Sequence, residues 1–254
     1  MTQRWGSVHR LLHRFGVDLV RHPGTTSTLG RRLGHFRAWG IDLVVDVGAN
    51  VGQYGVAIRS MGYGGPIASI EPLPEAWDVL ARRTAKDPGW RAMQLALGSS
   101  ERQAPLFIAE NSYSSSLFPS TIEHERAAPD AHSVRQIEVD VRRLDAIADN
   151  LIGSAERPLL KLDTQGSELD ILEGAGAALD RFAAAHVELS IVPMYAGGPL
   201  MADVVDWLGA RDFVLAELEP EFSDPATGRL MQVNGLFYNP AVVLAPGRSG
   251  GASG

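Results

Sequence analysis

The chain has 254 residues, 45% of them hydrophobic, no cysteine and a formal net charge of −7. The missing cysteines exclude disulfides, thiolate metal sites and thiol nucleophiles, and the acidic balance argues against a general nucleic-acid binder. No apolar stretch nears the roughly 18 residues that span a bilayer, and Leu11-Leu12, flanked by His and Arg, forms no secretory core, so a cytoplasmic protein is expected.

Charge is unevenly spread. Residues 1–37 hold seven Arg and one acid, Asp18, while the remainder is strongly acidic. Trp5, Val8, Leu11, Leu12 and Phe15 recur at helical spacing and predict a helix over 4–21. Its plain reading is an amphipathic helix packed on the domain; a homodimer contact or a peripheral contact with anionic membrane are the alternatives. A second helix is expected over Arg31–Trp39, ended by Gly40. This gives an N-terminal helical extension (1–40), one main domain (41–240) and a flexible Gly/Ser-rich tail within 241–254.

From 41 to 100 the pattern is strand, helix, strand, helix, strand, which predicts a parallel sheet with crossover helices. The first strand runs into Val44-Val45-Asp46-Val47-Gly48-Ala49-Asn50-Val51-Gly52-Gln53-Tyr54. Its glycines miss the dinucleotide spacing and lack the Lys-Ser/Thr of a phosphate loop. An acid before Gly-x-x-x-Gly suits a ligand with an amino-acid end: Asp46 can accept from an ammonium, and loop NH groups can serve a carboxylate. S-adenosylmethionine carries both groups. The second strand ends at Ile70-Glu71-Pro72, and an acid about 20 residues after such a turn is placed to accept ribose hydroxyls. Gln94–Gly98 reads as a third strand, where Ala96 and Leu97 would face adenine. The donor site expected from this run comprises Asp46, Gly48, Asn50, Gly52, Tyr54, Glu71, Pro72, Ala96 and Leu97, joined by Asp163.

Residues 101–142 break the rhythm. Strands over Ala104–Ala109 and Arg135–Val141 flank a polar insert containing Ser114-Ser115-Ser116-Leu117, expected to form a substrate lip. His124 in that insert is a general-base candidate, with a surface histidine the plainer alternative. The core resumes with Leu159–Asp163, a helix from Ser167, a strand over Ala184–Ile191 carrying Glu188, a helix over Met201–Gly209, a strand over Phe213–Leu218 and a last strand or hairpin over Leu230–Tyr238.

Ligands of open α/β sheets sit beyond the strands' carboxyl ends, so Asp46, Glu71, Asp163 and Glu188 mark the site. Lys161 and Asp163 share one face of their strand. A lysine in so apolar a strand needs a carboxylate, and Glu188 on the neighbouring strand is the expected partner. Asp163 could orient an acceptor hydroxyl or take its proton. Glu168, in a first helical turn, caps NH groups or turns to the site. The catalytic candidates are therefore Asp163, Glu188, His124, Lys161 and Glu168; His186 reads as structural. A Mg²⁺ held by Asp163 and Glu188 is the metal option, without any metal motif to support it.

Together, Asp46–Tyr54, Ile70-Glu71-Pro72, Ala96-Leu97-Gly98, Ser115-Ser116-Leu117, Lys161-Leu162-Asp163-Thr164-Gln165-Gly166-Ser167-Glu168, Leu172-Glu173-Gly174-Ala175 and Val187-Glu188-Leu189-Ser190 resemble the FkbM family of S-adenosylmethionine-dependent O-methyltransferases, over about 41 to 240. The resemblance implies a Rossmann-like class I methyltransferase α/β fold, its seven-stranded sheet mostly parallel with an antiparallel last strand. It also implies methyl transfer to a hydroxyl of a sugar, glycolipid, polysaccharide or polyketide-type product. Ser167 stands where relatives often carry an aromatic and Asn234 where Asp is expected, departures that bear on the acceptor. Two other readings stay open: a methyltransferase-like binding protein without catalysis, and an amine or protein acceptor.

Overall fold

The computed structural model describes residues 28–245; the helix expected over 4–21 and the tail from 247 lie outside the described residues. Helix α1 (Thr28–Trp39), up to Ala38, makes up the described part of a first unit. The second unit, from Trp39 onward, is an α/β domain.

Its strands and helices follow in the order β1 (Leu43–Val47), α2 (Gln53–Ser60), β2 (Ile67–Ile70), α3 (Pro74–Thr84), β3 (Trp90–Met93), β4 (Ala96–Leu97), β5 (Arg102–Ala109), α4 (Ile122–Ala127), β6 (Ser133–Arg142), α5 (Leu144–Ile152), β7 (Pro158–Leu162), α6 (Glu168–Ala175), β8 (Ala184–Ser190), α7 (Met201–Gly209), β9 (Val214–Ser223), β10 (Leu230–Tyr238) and α8 (Pro240–Val243). The main sheet has seven strands in the order β3-β2-β1-β7-β8-β10-β9. The first five are parallel to one another, and β10 runs antiparallel to both neighbours. This is the Rossmann-like class I methyltransferase arrangement that the sequence implied. Strand order reverses beside β1, so the crevice at the β1/β7 carboxyl ends is the place for a ligand.

The strands are legible because they are buried on both faces. Every residue of β1, β2 and β7 is buried, as a central parallel strand requires. Val45, Leu160, Leu162, Val187 and Leu189 form one core with Leu144, Leu151, Leu172, Val204 and Leu208 of α5, α6 and α7. Alternation turns Asp46 and Lys161 to the opposite face.

One strand is displaced from its expected place. The third strand is β3, Trp90–Met93, and not 94–98. Trp90 sets it there: its indole Nε1 donates to Ser69 Oγ at 2.9 Å, and its ring fills the space beside Gly55, where a Cβ would lie 2.3 Å from it. Ala96-Leu97 instead pairs with Val141-Arg142 in a second sheet, β4-β6-β5. Between β5 and β6 the insert carries a 3-10 turn (Ser112–Ser114) and α4, so the loop expected there is partly helical. Among the described residues, no helix is long and apolar enough to cross a membrane.

Helix α6 lies against the turn after β4 so closely that a Cβ on Gly174 would sit 2.0 Å from the Gly98 carbonyl oxygen. Backbone cannot yield as a flexible side chain can. Gly174→Ala should therefore lower the unfolding free energy by about 2–3 kcal/mol, read as a lower urea midpoint at unchanged slope.

Candidate active site

The loop after β1 is left-handed at three places, Gly48 (φ 73°), Asn50 (φ 46°) and Gly52 (φ 86°). Gly48 has no room for a side chain, since a Cβ would lie 1.9 Å from the Asp163 carbonyl oxygen. The loop NH groups were expected to face a ligand carboxylate, but the chain itself takes them. Gly48 and Ala49 donate to Ile70 O, Asn50 to Glu71 Oε2 at 2.7 Å, Val51 to Asn50 Oδ1 and Gly52 to Ala49 O. Helix α2 then starts without a side-chain cap.

Glu71 is held at both oxygens, Oε1 accepting from Leu73 N at 2.8 Å. Burial pushes its carboxyl up to about 7, against the pull of the two backbone donors. The loop and the end of β2 thus fix one carboxylate in a dry place.

Asp46 was expected to accept from a ligand ammonium. It is fully buried, and the ammonium it meets belongs to the chain: Lys161 Nζ lies 3.0 Å from Asp46 Oδ1 and 3.4 Å from Asp163 Oδ2. Ser69 Oγ donates to the other Asp46 oxygen, and the Tyr54 ring covers the ammonium at 5.3 Å. Tyr54 also stacks on His186, which is buried as expected of a structural histidine. Burial pushes the Asp46 carboxyl up against the pull of Lys161, while Asp163 and Asp46 together hold the ammonium's pKa up against its own burial. Of the two carboxylates at the ammonium, Asp163 is the accessible one, its side chain 33% exposed.

The expected Lys161–Glu188 pair does not form. Register explains it: Lys161 lies beside Asp46 on β1 and beside His186 on β8, while Glu188 is two residues further along. Glu188 takes two amides instead. Gln165 Nε2 and Gln232 Nε2 each donate to its Oε2 at 2.8 Å. Gln165 Nε2 also donates to Asp163 Oδ1 at 2.8 Å, so one amide group bridges both carboxylates. Burial, with Asp163 and Glu168 nearby, raises the Glu188 carboxyl well above its ordinary value.

Glu168 is buried and accepts from Thr164 N, Thr164 Oγ1 and Gly166 N, which shapes the β7–α6 loop. His124 is not a surface residue. It sits buried on α4 with its ring edge-on to Tyr195 at 5.0 Å, and burial lowers its pKa. Ala96 and Leu97 have buried side chains in β4, and Pro72 is half-buried beside Glu71.

A metal fits this arrangement poorly, because an amide NH₂ already occupies the place between Asp163 and Glu188. Among the described residues no group of three His, Asp or Glu side chains could hold an ion.

Sequence reasoning passed over Gln165, Gln232 and Tyr195. Gln165 stood inside a quoted motif, but its left-handed backbone (φ 59°) has no signature in a glutamine. Tyr195 lies in the loop after β8, where only the Gly197-Gly198 pair hinted at tight packing; a Cβ on Gly166 would come within 2.9 Å of it.

Removing the ammonium should expose the cost of a buried lone carboxylate. Lys161→Met should destabilise the fold by about 3–5 kcal/mol, and Asp46→Asn/Lys161→Met should recover more than half of it in urea denaturation.

Residues 46–215 match the family described as a methyltransferase FkbM domain. Methyltransferase sdnD of Sordaria araneosa is 28% identical over 155 residues, covering 52% of this chain and 59% of that protein. Methyltransferase 1 of Beauveria bassiana is 24% identical over 142 residues, covering 52% and 57%. The matched part of the chain thus spans under three fifths of the length of these relatives. Among solved structures, TehB from Haemophilus influenzae is similar at 8% identity and TM-score 0.46, covering 85% of this chain and 63% of that one. An rRNA methylase from Streptococcus thermophilus is similar at 9% identity and TM-score 0.42, covering 87% and 98%. With its sheet order, its Gly-rich β1 loop and two thirds of its length matched, the chain belongs to the FkbM methyltransferase family.

Proposed function

We propose that the protein is an S-adenosylmethionine-dependent O-methyltransferase acting on a hydroxyl of a sugar, glycolipid, polysaccharide or polyketide-type product. The observation that carries this is Glu71, fixed at the end of β2 by the NH groups of Asn50 and Leu73. Each of its oxygens keeps a lone pair for a ribose hydroxyl. The uncapped start of α2, eight residues long, suits the methionine carboxylate. Asp46 and Asp163 outnumber the one ammonium between them, which favours a sulfonium nearby. The donor, when bound, supplies an electrophilic methyl on a good leaving group. The chain's task is then to align an acceptor oxygen, exclude water and receive a proton.

Asp163 orients the acceptor hydroxyl from the mouth, and Glu188 takes its proton. Glu188 suits that role because burial makes it a stronger base than an ordinary carboxylate, and its Oε2 is anchored by two amides. Asp163 is tied to Lys161 at one oxygen and to Gln165 at the other, which fixes its direction.

Calorimetric titration tests the donor half. Wild type should bind S-adenosylmethionine and S-adenosylhomocysteine, and Glu71→Ala should weaken both tenfold or more, about 1.4 kcal/mol. No binding to wild type would sink the proposal.

Ribose hydroxyls donate to the ionised form of Glu71. Donor affinity should therefore rise as pH climbs through about 7, and Glu71→Gln should flatten the rise. Fold stability should run the other way. A carboxyl raised in the folded state contributes fully below its unfolded value of about 4.5 and loses that contribution as pH rises through about 7.

A further inference from the structure

We infer that Gln165 is the positioning residue of the acceptor side, setting Asp163 and Glu188 in one fixed relation and tying that relation to the insert. The inference rests on the reading of these two carboxylates as acceptor-facing.

The amide leaves little freedom. Both hydrogens of Nε2 are committed, one to Asp163 Oδ1 and one to Glu188 Oε2. Oε1 accepts from the Tyr195 hydroxyl, which burial and then the charge of Glu188 keep protonated. A flipped amide would point its carbonyl at two carboxylates and its NH₂ at a hydroxyl already turned to donate. The backbone is held as firmly. Gln165 is one of three non-glycine residues with positive φ among the described residues, a conformation kept only where its surroundings enforce it. Glu168 grips the residues on either side, Thr164 and Gly166.

The insert is fastened to the same place. Ser116 Oγ donates to the Gln165 carbonyl, the Tyr195 hydroxyl lies 3.3 Å from Ser114 O, and Asn50 Nδ2 donates to Ser112 O at 3.1 Å. The insert is thus bonded to the loops after β7 and β1 at Ser116 and Ser112, and between them Ser114 packs against the Tyr195 hydroxyl of the loop after β8. Gln165 joins this latch to the carboxylates through its main chain and its side chain alike. Without its two donors, Asp163 keeps only Lys161 and Glu188 only Gln232, and no donor bridges the two like charges.

The test uses the full chain as wild type, Gln165→Met and Tyr195→Phe, the last removing one hydroxyl where the first could unsettle folding. Three quantities are read: the Glu188 titration midpoint by carboxyl ¹³C NMR, assigned with Glu188→Gln; amide exchange over residues 110–118; and S-adenosylhomocysteine affinity by calorimetry. Both variants should move the Glu188 midpoint upward and speed exchange in the insert about tenfold, with affinity within threefold of wild type. An unchanged midpoint and unchanged insert exchange in either variant would overturn the inference. So would faster exchange throughout the chain together with lost affinity, which would make Gln165 a packing residue only. Wild type failing to bind S-adenosylhomocysteine would instead overturn the donor reading, and is seen before any change at Gln165.

Discussion

The Lys161 ammonium, 3.0 Å from Asp46 and 3.4 Å from Asp163, is the contact around which the crevice is organised. It lies where the sheet order turns back, between β1 and β7, and it is almost wholly buried. An ion in such a place is stable only while its partners stay, and the partners only while it stays. Neighbouring polar groups fall into line with it. Ser69 completes Asp46, Trp90 completes Ser69, and Tyr54 roofs the charge from α2. Asp163 keeps one oxygen on the ammonium and offers its exposed side to the mouth.

A division of labour follows across the sheet. On the β2 side, the Gly-rich loop consumes its own NH groups to build a rigid bracket around Glu71. On the β8 side, amides replace cations as partners of Glu188, which leaves it buried, oriented and basic. Lysine on one flank and glutamines on the other give Asp163 and Glu188 different partners at neighbouring strand ends.

The acids at the strand ends were legible because parallel strands are written as apolar runs, and each of these runs closes on a carboxylate. Asp46, Glu71, Asp163 and Glu188 all lie at the expected edge. Partner choice was not legible. Whether Lys161 meets Glu188 or Asp46 depends on a register between strands far apart in sequence, and a shift of two residues decides it. The third strand was misplaced because Leu95-Ala96-Leu97 is as apolar as a core strand, yet Trp90 fixes β3 earlier through an indole hydrogen bond and a fit against Gly55. His124 looked like a surface residue amid polar neighbours, and only the packing of α4 on Tyr195 and Phe222 buries it.

The insert leaves β5 at Ala109 and returns to β6 at Ser133, and these two residues are paired in register. Whatever lies between them begins and ends at one point of the fold. Its length and composition can therefore change without displacing β1, β7 or β8, much as a hairpin loop is exchanged on an antibody scaffold. The strand ends are locked into the sheet, while the insert is a cassette anchored where β5 and β6 meet. A changed insert would still need groups that Asn50, Gln165 and Tyr195 can meet.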